Sequence, residues 1–198
     1  NGVYVALGTG SGFSTPTLWN SEFTVATGWT TQDTYPRTLA DVNGDGQPDI
    51  VGFKSDGVYV SLNTGTTFQA STKWLSDFGT ATATAYTTQK AFPRYLADVN
   101  GDGRADIVGF AANGVQVALS SGSGFAAATQ WVAGYGSAAG YTTGTVRQLA
   151  DLDGDGVLDV VGVKSTGVTV SPSAKMVPPD VLLTITSGLG ATITADYK

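Results

Sequence analysis

An acidic nine-residue loop, D-x-(D/N)-x-D-G-x-x-D, occurs three times in a chain of 198 residues. LADVNGDGQPDIVGF begins at Leu39, LADVNGDGRADIVGF at Leu96 and LADLDGDGVLDVVGV at Leu149. The leading acids, Asp41, Asp98 and Asp151, are 57 and 53 residues apart. Self-similarity at such a period marks a repeat architecture, in which each unit must stack on its neighbours to bury a core. Three further motifs keep the same period. G-V-x-V recurs at Gly2, Gly57, Gly114 and Gly167. W-x-x-x-(F/Y) pairs Trp19 with Phe23, Trp74 with Phe78 and Trp131 with Tyr135. A (W/Y)-T-T step precedes an arginine: Trp29 and Arg37, Tyr86 and Arg94, Tyr141 and Arg147.

One unit reads as four short strands: Arg37–Val42, Asp49–Phe53, Gly57–Leu62 and a stretch around Phe68–Leu75. Val58, Val60 and Leu62 alternate with Tyr59 and Ser61, the period-two pattern of a strand with one buried face. No segment carries a helical period. Four strands per unit point to an all-β chain of four-stranded antiparallel β-propeller blades, although the units exceed the usual ~40–50 residues. The surplus lies in connections such as Asp77–Pro93. The repeats span residues 1–171, in units of about 1–56, 57–113 and 114–171. The chain starts on the third and fourth strands of one blade and ends on strands one to three of another. Since propellers close with roughly four or more blades, the expectation is an incomplete ring. It would be part of a longer chain or be completed by a homo-oligomer. Residues 172–198 read as a linker, with Pro172, Pro178 and Pro179, and a β-hairpin tail. Val181–Thr186 and Ala191–Tyr197 are its strands, around Ser187–Gly190.

Composition narrows the function classes. The net charge of −6 makes nucleic acid an unsuitable partner, because phosphate binding needs clustered Lys and Arg. No apolar run reaches the ~18 residues of a membrane span. There is no cysteine and no histidine, which removes thiolate chemistry and the usual general base. The acids outside the loops are Glu22, Asp33, Asp56, Asp77, Asp180 and Asp196, and they do not recur as a pair. The chain therefore reads as a non-enzyme. It opens on Asn1 inside a strand, without an initiator Met or a signal peptide, and reads as a fragment or a processed piece.

The loops carry ten of the 16 acids. In the first, Asp41, Asn43, Asp45 and Asp49 stand at positions 1, 3, 5 and 9, with the Gln47 carbonyl at position 7. The second has Asp98, Asn100, Asp102 and Asp106 with Arg104 at position 7, and the third Asp151, Asp153, Asp155 and Asp159 with Val157. Alternate side chains of a tight loop converge, the glycine at position 6 allows the turn, and hard carboxylate and carbonyl oxygens suit Ca²⁺. About three structural calcium ions are expected, one per loop, pinning the turn between strands one and two. Without a cation the clustered carboxylates repel.

On LADVNGDGQPDIVGF, GVYVSLNTGTTF and GVQVALSSGSGF, the chain resembles the FG-GAP/VCBS repeat family. That family includes integrin α-subunit propellers, fungal propeller lectins and the propeller regions of bacterial toxin and RHS-type proteins. The tail DVLLTITSGLGATITADYK looks like the segment after the propeller in SpvB-like and insecticidal-toxin B-component proteins, with Ser187 where Asn is usual. The resemblance implies a secreted or extracellular protein, bacterial or fungal, and two functions. One is a propeller binding carbohydrate or a cell-surface ligand. The other is a structural or docking segment of a toxin or RHS-type assembly. Trp29, Tyr86 and Tyr141, beside threonine hydroxyls, are the candidate ligand residues, since aromatic faces with nearby polar groups hold sugars. The same rings, like those of Trp19, Trp74 and Trp131, can equally pack between blades.

Overall fold

The computed structural model describes residues 1–173, together with the backbone of 184–186 and 192–194. Two four-stranded antiparallel meanders form its centre. The first is β3 (Arg37–Ala40), β4 (Asp49–Lys54), β5 (Gly57–Ser61) and β6 (Thr72–Leu75); the second is β7 (Arg94–Ala97), β8 (Asp106–Ala111), β9 (Gly114–Ala118) and β10 (Thr129–Ala133). Before them β1 (Val3–Val5) pairs with β2 (Thr17–Asn20). After them come β11 (Val146–Ala150), β12 (Asp159–Lys164) and β13 (Gly167–Ser171) in one three-stranded sheet. By repeat position, β1 and β2 are third and fourth strands, and β11 to β13 are first to third strands. The described residues thus make two complete blades between two partial ones, and the ring is not closed. Two 3-10 turns, Val25–Thr27 and Ser137–Ala139, interrupt the connections.

Two boundaries differ from the sequence reading. The first strand stops at Ala40 instead of Val42, because the Asp41 carboxylate turns back to accept the Gly44 and Gly46 N–H groups. The fourth strand begins at Thr72, and Phe68 lies before it in an isolated antiparallel bridge to Asn63. Ser120 and Phe125, and Gly8 and Phe13, make the same bridge. In the tail, β14 (Thr184–Thr186) pairs antiparallel with β15 (Thr192–Thr194). Pro178, Pro179 and the turn 187–190 lie outside the described residues.

The core sits between blades. β8 is buried along its whole length and β4 along all but Lys54, which explains why D-I-V-G-F runs without alternation. Val42, Val51, Phe53, Val58 and Val60 of the first blade pack with Ile107, Ala118 and Phe125 of the second. Two hydrogen bonds fix the stacking beside the first acidic loop. Ser120 Oγ donates to the Val42 carbonyl at 2.6 Å, and Ala105 N–H to the Asp41 carbonyl at 2.8 Å.

Candidate functional site

Each acidic loop is a nest of side-chain to backbone bonds, closed by glycines in the left-handed region, such as Gly44 and Gly46 at φ +79° and +82°. Asp41 accepts the Gly44 and Gly46 amides, both at 2.7 Å. Asp98 accepts those of Gly101 and Gly103 at 2.7 and 2.8 Å, and Asp151 those of Gly154 and Gly156 at 2.7 and 3.0 Å. Position 3 accepts the amide of position 5: Asn43 from Asp45 at 3.0 Å, Asn100 from Asp102 at 3.1 Å, Asp153 from Asp155 at 3.2 Å. Position 5 accepts the amide of position 7: Asp45 from Gln47 at 2.8 Å, Asp102 from Arg104 at 2.9 Å, Asp155 from Val157 at 2.8 Å.

The acid at position 9 differs from the rest. Asp49, Asp106 and Asp159 are almost fully buried. Each ties its own loop to the backbone just after the third strand with both carboxylate oxygens. Asp49 accepts from Val42 and Asn63, Asp106 from Val99 and Ser120, Asp159 from Leu152 and Ser173. Burial pushes the Asp106 carboxyl up to about 6; the Ser120 and Val99 amides oppose the rise, and the Asp102 and Asp98 charges add to it. Burial also raises Asp49, whereas the Ser173 and Leu152 amides hold Asp159 below its ordinary value.

In the third loop, oxygens of Asp151, Asp153 and Asp159 lie within 4.8 Å of one another. That all-oxygen donor set suits a hard dication. In the second loop a cation is already present, because Arg104 Nη2 reaches Asp102 Oδ2 at 2.5 Å.

Trp29, Tyr86 and Tyr141 were candidate sugar-stacking rings, and the structure corrects that assignment. They are only 4%, 1% and 1% exposed. Each lies against the aromatic residue of the W-x-x-x-(F/Y) motif. Trp29 is 5.0 Å from Phe23, Tyr86 5.1 Å from Phe78, and Tyr141 5.6 Å from Tyr135, between ring centroids. Beneath the pairs lie Gly52, Gly109 and Gly162, where a Cβ would collide with Trp29, Tyr86 or Tyr141. These glycines, the G of D-(I/V)-V-G-(F/V), recur once per unit, and that recurrence is the sequence signal of an interior ring above each. Two of the motif arginines face the same place, while Arg147 donates to the Ala91 carbonyl at 2.8 Å. Arg37 Nη1 donates to the Phe23 carbonyl at 2.7 Å and Arg94 Nη1 to the Phe78 carbonyl at 3.0 Å. Burial pushes the Arg94 guanidinium down to about 10, with Tyr86 and Asp33 opposing.

Of the recurring motif rings, the outer tryptophans are the ones that reach the surface. Trp19 meets Phe68 of the following blade at 5.6 Å, and Trp74 meets Phe125 at 5.5 Å, both tilted by 58°. Beside the first pair is an open groove of about 370 Å³, lined by Leu18, Trp19, Asn20, Ser21, Glu22 and Phe68. Its polar wall is held in place. Asn20 Nδ2 donates to the Gln69 carbonyl at 3.1 Å, and Glu22 Oε2 accepts the Ser71 amide at 2.8 Å. Asn20 is buried and bonded to Ser61, Gln69 and the Glu22 amide, so the tryptophan edge and the Glu22 carboxylate are what a hydroxylated ligand can use. Among the described residues, no helix is long and apolar enough to cross a membrane.

No curated protein sequence matches the chain. Solved structures do. A lectin of Agrocybe aegerita, whose structure concerns specific recognition of non-reducing terminal N-acetylglucosamine, is 34% identical with a TM-score of 0.80. The match covers 86% of this chain and 43% of the lectin, so the chain spans less than half of it. The Tc holotoxin pore of Photorhabdus luminescens is similar at 21% identity and TM-score 0.59, over 83% of this chain and 8% of that one. A TcdB2–TccC3 structure matches at 23% identity and TM-score 0.55, over 69% of this chain and 6% of that one. At these identities the toxin structures share the fold alone. Residues 98–162 match the FG-GAP-like repeat family. The same acidic loop at Asp41–Asp49 and the same four-stranded blade precede that segment, so the chain is similar to the FG-GAP-like repeats over 98–162 and repeats their pattern before it, as a series of β-propeller blades.

Proposed function

We propose that the chain is a non-catalytic carbohydrate-binding propeller module that works outside the cell, and that calcium in its acidic loops stiffens the blades. The observation carrying this reading is the 34% identity, across 86% of the chain, to a lectin that recognises terminal N-acetylglucosamine. The Trp19 groove supports it. Its volume of about 370 Å³ falls in the range of small-ligand sites, ~300–1,000 Å³. An aromatic surface beside the Glu22 carboxylate offers stacking and a hydrogen-bond acceptor to a pyranose. Trp74 and Phe125 repeat the aromatic half of the groove, with Asp77 at the repeat position of Glu22. The ligand class is therefore a glycan ending in an N-acetylhexosamine.

A glycan array followed by titration with N-acetylglucosamine-terminated oligosaccharide tests the reading. Binding is expected, and Trp19→Ala should weaken it by about tenfold, the equivalent of ~1.4 kcal/mol. A blank array from folded protein would overturn it.

A further inference from the structure

The three acidic loops share a backbone and differ in charge. The first brings Asp41, Asp45 and Asp49, and the third brings Asp151, Asp153, Asp155 and Asp159. The second brings Asp98, Asp102 and Asp106 but also Arg104, so its formal charge is −2, against −3 in the first and −4 in the third. Arg104 and Gln47 hold the same position, and both side chains run along the hairpin of their own blade. The Gln47 carboxamide ends there: a Cβ on Gly65 would lie 2.9 Å from its Oε1. The Arg104 stem passes the matching glycine, with Cδ 3.5 Å from a Cβ on Gly122 and Cγ 3.1 Å from one on Gly44 of the first loop. Being longer, it continues. Nε donates to the Ser120 carbonyl at 3.2 Å, and Nη2 returns to Asp102 Oδ2 at 2.5 Å. The pair is partly shielded, its side chains 31% and 26% exposed. The matching oxygen of the first loop, Asp45 Oδ2, accepts the neutral Asn43 Nδ2 at 2.9 Å, and no side-chain cation pairs with it among the described residues.

We propose that Arg104 is a built-in counter-ion that makes the second loop the weakest of the three calcium sites, so that the loops fill and empty in order. The inference rests on the calcium reading of the loops given above. The affinity of an oxygen site follows the charge of its ligands, and the second loop has the least negative set. Asp102, at position 5 of the ligand pattern, must also release a guanidinium before it can turn to a metal, and charge-assisted bonds are roughly twice as strong as neutral ones. The positive charge then stays close, because Nε is held by Ser120 and the stem lies between Gly44 and Gly122. A fixed cation beside a dication repels it. Arginine does not deprotonate in proteins, so no ordinary pH removes the effect. The same contact serves the blade when calcium is low. Ser120, which Arg104 bonds, donates through its hydroxyl to the Val42 carbonyl of the first blade at 2.6 Å. The second turn and the junction between the two complete blades thus keep a cation at calcium levels that empty the loop.

A calcium titration of the whole chain, followed by proton–nitrogen NMR, tests the proposal loop by loop. The position-6 amides of Gly46, Gly103 and Gly156 are separate reporters, each bonded to the leading acid of its own loop. Gly103 should respond at a calcium concentration about tenfold above Gly46, the equivalent of ~1.4 kcal/mol. Arg104→Gln gives the second loop the residue that the first carries, and should bring the two midpoints within about twofold of each other. Gln47→Arg should raise the Gly46 midpoint in turn. Neither position is buried, and the amide spectrum itself shows whether each variant is folded. Equal midpoints for Gly46 and Gly103 in the parent, or a Gly103 midpoint that Arg104→Gln leaves unchanged, would overturn the proposal and leave the calcium reading intact. No response at any of the three amides would overturn the calcium reading itself, and this proposal with it.

Discussion

A Cβ on Gly109 would lie 2.5 Å from Tyr86 Oη and 2.6 Å from Phe78 Cε1. Neither ring can retreat. Phe78 is fully buried with its backbone in the left-handed region at φ +57°, and Tyr86 stacks on it. Gly109→Ala should therefore cost ~1–3 kcal/mol as an overpacked site. The ring above it is asymmetric in value. Tyr86 contributes through its buried body, but its hydroxyl has no hydrogen-bond partner, and burial pushes its pKa well above the ordinary phenol. Tyr86→Phe should be neutral or stabilising, because it removes an orphaned polar atom. Tyr86→Ala should cost ~3–5 kcal/mol. Urea denaturation midpoints check all three. A Tyr86→Phe variant as unstable as Tyr86→Ala would mean that the hydroxyl has a partner.

At the scale of the loop, two jobs share one motif, and removal of calcium separates them. Asp106 holds the Val99 and Ser120 amides and is 0% exposed; Asp102 bonds within its own loop and to Arg104 at the surface. Calcium should raise the melting temperature of the parent relative to chelator, since a ligand at about a hundred times its dissociation constant adds ~2.7 kcal/mol. Asp102→Ala should shrink that shift with a smaller effect in chelator. Asp106→Ala should lower stability in both buffers by ~1–3 kcal/mol for each amide left unpaired. Thermal melts in Ca²⁺ and in chelator decide it, and an absent calcium shift in the parent would remove the metal from the account. The loops and strands were legible because their chemistry is local: a D-G step fixes a turn, and alternation fixes a face. The fates of Trp29, Tyr86 and Tyr141 were not legible, because a periodic aromatic reads the same whether it packs or binds. Only Gly52, Gly109 and Gly162 discriminate, since a ring lying over a glycine is an interior ring. The Trp19 groove was hidden for a related reason. Its walls come from residues 18–22 and from Phe68, which are brought together only by the stacking of two blades.

Across the whole molecule, stability depends on how many faces of a blade are covered. In repeat arrays each unit takes its stability from its neighbours. Among the described residues β8 is buried throughout, while β12 and β13 are partly exposed. The same side chain records the gradient: Val58 is 0% exposed, Val115 1% and Val168 65%. Buried amides open only with the blade around them, and exposed ones by local fraying. Native-state hydrogen exchange should be slowest in β4 and β8 and faster by at least about tenfold in β12 and β13. Trp19→Ala should speed exchange in β1 and β2, which lean on Phe68, without changing β8. Uniform protection from β1 to β13 would mean that the blades open as one unit and that the exposed third-blade face carries no cost.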